Sequence, residues 1–227
     1  MKLINEFNIE IIRTSRRKTV SLQIINGILK VTSPKYLSDK QIYSVIADKT
    51  KWIRKNLAAE QLGPVFTPKK FIENELFLFL GISYPLEIID NKSQGTTLME
   101  RSFLVNTKRN GKEVHVLLKE WFRKQALSIL TDRTNIQADR LGLFPKKISI
   151  RDYKSRWGSC NGRGEITYNW KIIMAPLSIV DYVIVHELCH LTHHNHSKDY
   201  WNTVSISLPS YKTDQNWLKT NGKLLDW

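Results

Sequence analysis

His186-Glu187-Leu188-Cys189-His190-Leu191-Thr192-His193-His194-Asn195-His196 holds five of the chain's six histidines in eleven residues. Each imidazole carries two nitrogens that need partners, so five crowded rings are a costly way to fill a core. The leading His-Glu-x-x-His order suggests a zinc site with its own base. In an α-helix, positions i and i+4 lie one turn apart on one face, so His186 and His190 can bind one ion together. Glu187 lies about 100° round the helix from His186 and is placed to reach a water on the metal. Zinc can bring such a water to a pKa of about 7. Glu187 can then take its proton as it attacks a carbonyl.

A catalytic zinc usually keeps three protein ligands and one open position. No Glu follows Glu187, which leaves Asp199, Asp214 and Asp226 as later carboxylates. His196, six residues beyond His190, is favoured as the third ligand for its spacing, ahead of His193 and of a carboxylate. On an unbroken helix His196 would sit about 240° from His190. The helix is therefore expected to end near 192–195, with Asn195 suited to a left-handed turn. His193 and His194 read as surface or supporting residues. The rival readings are a helix with solvated histidines and a structural zinc, although closed sites normally use four ligands, often cysteine.

Working outward, the apolar run Val180–Val185 leads a helix into His186 after Pro176. Lys147–Tyr153 and Glu165–Asn169 read as short strands around Gly158, Gly162 and Gly164. A long amphipathic helix is expected from near Val116, burying Leu118, Trp121, Phe122, Ile129 and Ile136 and ending at Gly142. Leu76–Asp90 and Leu98–Asn106 read as strands, followed by Asn110-Gly111. Gly63-Pro64 and Pro68 mark a linker or crossing loop. Further back, Phe7–Thr14, Thr19–Ile25 and Ile28–Thr32 are strand-like, and Asn26-Gly27 predicts a tight hairpin. Ser38-Asp39-Lys40-Gln41 looks like a capping box. It opens a helix near 39–60 with Ile42, Val45, Ile46, Ile53 and Leu57 on one face and Lys49, Lys51, Arg54 and Lys55 on the other. These elements make the chain α+β.

The net charge of +14 is uneven: residues 1–70 carry 14 Lys/Arg against 5 Asp/Glu. Such a surface can steer a protein toward nucleic acid or an acidic partner, or simply be solvated. No nucleic-acid motif accompanies it. No run of about 18 apolar residues predicts a membrane span, and Met1–Phe7 lacks the apolar core of a signal peptide. Cys160 and Cys189 form no C-x-x-C pair, so a reduced cytoplasmic protein is expected. Both read as small apolar residues. Tyr168 and Tyr200 are candidates to stabilise an oxyanion, against a plain packing role.

Arg156-Trp157-Gly158-Ser159-Cys160, Asn169-Trp170, Met174-Ala175-Pro176, His186-Glu187-Leu188-Cys189-His190, Asn195-His196-Ser197-Lys198 and Trp201 together resemble the YgjP-like metallopeptidase family. That family is similar to the WLM and SprT/Spartan zinc proteases. Arg16-Arg17-Lys18 and Trp52-Ile53 extend the resemblance more weakly. It implies a zincin-like catalytic domain over 113–227, preceded by a β-rich region with a basic helix over 1–112. It also implies Zn2+ held by His186, His190 and His196, and Glu187 as catalytic base. His193 stands where the metzincin pattern has Gly, so the turn should differ from theirs. Beside the cleft, Arg156 or Lys154 can meet a substrate carboxylate, or the local strand edge can pair with an extended peptide. A plainer reading puts Trp157 in the core and uses Gly158 for backbone freedom. Expected partners are a peptide or protein substrate, with no membrane. The alternative is a nucleic-acid-associated protein, either a protease acting on DNA-bound proteins or a binder with a vestigial zinc site. Hydrolysis of a non-peptide amide would use the same chemistry.

Overall fold

The computed structural model describes residues 6–15, 18–25, 27–62, 67–90, 93–107 and 113–227. The chain divides into two compact units, Met1–Val65 and Phe66–Trp227. This division falls earlier than the boundary at 112/113 expected from the sequence. The reason is that the strands between 76 and 107 share a core with the long helix that follows them. Arg16-Arg17, Asn26, Gly63-Pro64 and Asn110-Gly111, singled out in the sequence, lie outside the described residues.

In the first unit, β1 (Ile9–Thr14), β2 (Ser21–Ile25) and β3 (Ile28–Pro34) form a sheet in the order β1-β3-β2. The β2–β3 register closes at Ile25↔Ile28, and Gly27 has φ +75°, as a two-residue hairpin requires. Ser38 caps α1 (Asp39–Asp48) in a full capping box with Gln41. The expected single basic helix is two helices, because α1 stops at Lys49 and α2 spans Thr50–Leu62. The Thr50 hydroxyl donates to the Ala47 carbonyl at 2.8 Å, satisfying an end group of α1. Leu29, Val31, Ile42, Ile46 and Ile53 fill this unit's core.

In the second unit, one sheet has the order β4-β5-β7-β6, from β4 (Leu76–Phe79), β5 (Ile82–Asp90), β6 (Gly95–Leu98) and β7 (Phe103–Thr107). The stretch read as one strand over 76–90 is therefore a hairpin. Its turn holds Leu80 at φ +48° and Gly81 at φ +83°. Their amides donate to the carbonyls of Ile173 and Met174 at 2.8 and 3.1 Å. A Cβ on Gly81 would stand 2.9 Å from Pro176 Cα, so glycine permits this approach. Likewise 98–106 contains the end of one strand and most of the next.

Helix α3 (Val114–Leu141) buries Leu117, Leu118, Phe122, Ala126, Leu130 and Ala138 and ends at Gly142, whose φ is +66°. Ile136, expected inside, is exposed, because the buried stripe runs through Thr134, Gln137 and Ala138 instead. A second sheet, β8-β10-β9, joins β8 (Lys147–Arg151), β9 (Gly158–Cys160) and β10 (Glu165–Asn169). A 3-10 turn over Trp170–Met174 leads into α4 (Leu177–Cys189), followed by α5 (Lys198–Ser207) and α6 (Tyr211–Asn221). Helix α4 is apolar almost all round, as a helix at the centre of a core must be. Arg133 of α3 grips Asp181 of α4 with two hydrogen bonds. No described helix is long and apolar enough to cross a membrane.

Candidate metal centre

Helix α4 stops at Cys189, with His190 at its C-cap, sooner than the 192–195 expected. The amides of Leu191 and Thr192 reach back only three residues, to Leu188 and Cys189, which tightens and ends the helix. The turn needs no left-handed Asn195: that residue is absent from the non-glycine positions with positive φ. Ser197 then caps α5 by accepting from the Tyr200 amide. His196 stands just before this cap, and the reversal carries it back over α4.

His186, His190 and His196 each bring one ring nitrogen to within 4.8 Å of the others. The Nε2 atoms of His186 and His196 are 3.3 Å apart. Two nitrogens at 2.0–2.1 Å from a tetrahedral ion would be separated by about 3.3–3.4 Å, so this pair fits a shared metal. The His190 Nδ1 lies 2.8 Å from the His193 carbonyl. An N–H donated there leaves Nε2 as the bare nitrogen, a common arrangement for a metal-binding histidine. His186 Nδ1 is buried without a partner among the described residues. Burial, then the neighbouring His190 and His196, pushes the His186 pKa down to about 3. Burial and His190 lower that of His196 as well. The rings of His186 and His196 are thus neutral near pH 7, the form that binds a metal.

Tyr200 forms the floor of this cluster. Its hydroxyl donates to the His186 carbonyl at 3.1 Å, and its ring stacks on His190 with centroids 4.7 Å apart. It also meets the rings of His186 and His196 edge-on. Trp201 stacks on His196 and Tyr211 on Trp201, extending an aromatic wall. Tyr200 is fully buried and Tyr168 bonds Thr134 inside the core. Neither hydroxyl is left to serve an oxyanion. His193 is turned away toward Thr203, and His194 is exposed.

Glu187 is 5% exposed, and burial pushes its pKa up to about 8, with Arg156 pulling the other way. Gly158 on β9 explains how the carboxyl fits. A Cβ there would stand 2.5 Å from Glu187 Oε1 and 2.7 Å from its Cγ. Gly158 thus serves close approach, not the backbone freedom expected of it.

A family model described as YgjP-like, metallopeptidase domain, matches residues 18–221. The chain belongs to the YgjP-like metallopeptidase family. A crystal structure described as the metallopeptidase zymogen of Pyrococcus abyssi abylysin is similar over 40% of this chain and 92% of that one. The two share 22% identity with a TM-score of 0.37. No curated protein matches the chain.

In this YgjP-like chain the supporting residues were harder to read than the histidines. Asn169 is buried and holds the 153–157 loop, its Nδ2 donating to the carbonyls of Tyr153 and Arg156 at 3.0 and 3.2 Å. Its own amide donates to the Trp157 carbonyl at 2.8 Å. The only sequence signal was its place beside Trp170. Trp157 is half-buried against the core, and Gly222 lets the C-terminal segment pass close to its ring. The Cys160 and Cys189 thiols are both free, and burial pushes each up to about 11. Cys189 packs with Val185, Tyr200 and Val204, as a small apolar residue would.

Gly158→Ala is expected to displace the Glu187 carboxyl and cut kcat/KM by on the order of tenfold to a hundredfold. Metal content should stay at the wild-type level, because no histidine is touched. A wild-type rate in that variant would show that the close approach does not matter.

Proposed function

We propose that this metallopeptidase is zinc-dependent and zincin-like, with His186, His190 and His196 as ligands and Glu187 as general base. The 3.3 Å approach of His196 Nε2 to His186 Nε2, with the buried Glu187 carboxyl next to His186 on α4, carries the proposal. Three imidazoles without a thiolate among them suit a catalytic zinc with an open position. A zinc ion bound there supplies a Lewis acid for the scissile carbonyl and lowers the pKa of water toward 7. Glu187 accepts a proton from the attacking water and returns it to the leaving amine. His190 is held by the His193 carbonyl and keeps its orientation through the reaction. Strand β9 ends its sheet, and its outer edge offers backbone groups to an extended peptide. The two free thiols support a reducing compartment such as the cytoplasm.

The experiment incubates zinc-loaded protein with a proteome-derived peptide library and reads new termini by mass spectrometry. Cleavage is expected to disappear on chelation and return with added zinc. Cleavage that survives complete zinc removal would overturn the proposal, and cleavage of non-peptide amides alone would reassign the substrate.

A second reading, recruitment to nucleic acid, has one observation in its favour. On α2 and the α1–α2 junction the exposed Trp52 stands among exposed Lys49, Lys51 and Lys55, a stacking ring within a basic surface. Binding to single-stranded DNA or RNA that weakens steeply with salt is expected on this reading. No retardation of either in a low-salt electrophoretic assay would eliminate it.

A further inference from the structure

The loop that leads into β9 borders a cavity of about 850 Å³, lined by Tyr153, Lys154, Arg156, Trp157 and residues of the 222–226 segment. Its acidic groups are already matched. Asp152 accepts from Lys119 at 2.9 Å, and Asp226 pairs with Lys171. Arg156 and Lys154 are exposed, and among the described residues no carboxylate lies within ion-pair distance of either.

These cations sit on a fixed loop. Asn169, 3% exposed, holds the carbonyls of Tyr153 and Arg156, and the Tyr153 hydroxyl bonds Ser159 at 2.8 Å. The Arg156 guanidinium packs 5.7 Å from the centre of the Tyr153 ring. Arg156 is also near enough to Glu187 to oppose the effect of burial on that carboxyl. The loop runs directly into β9, whose first residue Gly158 touches Glu187. A peptide lying along β9 toward the loop would reach Arg156 within a few residues of the bond being cut.

We propose that Arg156, assisted by Lys154, is a recognition site for a peptide carboxylate, so that the cleft selects substrates carrying an acidic group at one register. The planar guanidinium fork matches a carboxylate with two parallel hydrogen bonds, and carboxylates are the anions a peptide brings. The source is either an Asp/Glu side chain or the C-terminal carboxylate. This inference rests on the peptidase reading for its substrate class.

The test measures binding by calorimetry to the zinc-loaded Glu187→Gln protein, in which peptides are not consumed. A short neutral peptide is given Glu or Gln at each position in turn, with its C-terminus free or amidated. At one register the acidic member is expected to bind roughly threefold to tenfold more tightly than its neutral twin. Loss of the difference on amidation identifies the C-terminal carboxylate; persistence with a walked Glu identifies a side chain. Adding Arg156→Gln should erase the preference, and Arg156→Glu should reverse it toward Lys-bearing peptides. That gain would show a folded site. Equal affinity for acidic and neutral peptides at every register and both termini would overturn the proposal. So would a preference that survives Arg156→Gln. If the Arg156-dependent preference holds but wild-type protein cleaves none of these peptides, the carboxylate site stands and the peptidase reading falls.

Discussion

Glu187→Gln is expected to lower kcat/KM by roughly 10²- to 10⁴-fold while zinc content stays at the wild-type level. The amide has nearly the shape of the carboxyl it replaces, so it fits the pocket against Gly158 without displacing the helix. It cannot accept a proton, and that is the property the reaction needs. The same residue should set the acid limb of the wild-type pH profile. A base works only when ionised, so the rate should rise with pH through the Glu187 pKa. Burial raises that pKa from its ordinary 4.5 to about 8 in the metal-free chain, and a bound cation draws it back down. The midpoint is therefore expected between these values. Undiminished hydrolysis by Glu187→Gln would remove Glu187 from the chemistry.

His196→Ala should weaken zinc binding by at least about a hundredfold and take hydrolysis with it. Loss of a supporting contact alone often costs 10- to 100-fold in metal affinity, and this change removes a ligand. The fold should survive, because His196 is exposed and sits in the turn ahead of α5. His194→Ala serves as the control, since that ring is exposed and outside the cluster, and it should bind zinc as the wild type does. His193→Ala should also retain zinc, because the group that holds His190 is the His193 backbone carbonyl. Wild-type zinc affinity in His196→Ala would place the third ligand elsewhere.

The parts legible in the sequence were those written as periodicity or as residue chemistry. The i, i+4 spacing of His186 and His190, the capping box at Ser38, the two-residue hairpin before Ile28 and the helix end at Gly142 each have a local physical cause. The parts missed have causes far away in the chain. Leu80 takes a positive φ because its turn docks on Ile173 and Met174, so a continuous apolar run conceals a hairpin. Gly158 looks like any glycine until Glu187, 29 residues later, arrives against it. Ile136 has the right spacing for a buried face, but the neighbouring Thr134, Gln137 and Ala138 take the inside. At the site itself, spacing pointed to the approach of His196 to His186 and His190, whereas the floor supplied by Tyr200 left no such mark.

Everything proposed for the site depends on His186, His190 and His196 sharing one ion. X-ray absorption spectroscopy of the zinc-loaded protein tests this directly. The expected spectrum shows three imidazole nitrogens and one oxygen ligand near 2.0–2.1 Å, with an imidazole lost in His196→Ala. A sulfur neighbour near 2.3 Å, or an unchanged spectrum in His196→Ala, would contradict the three-histidine centre.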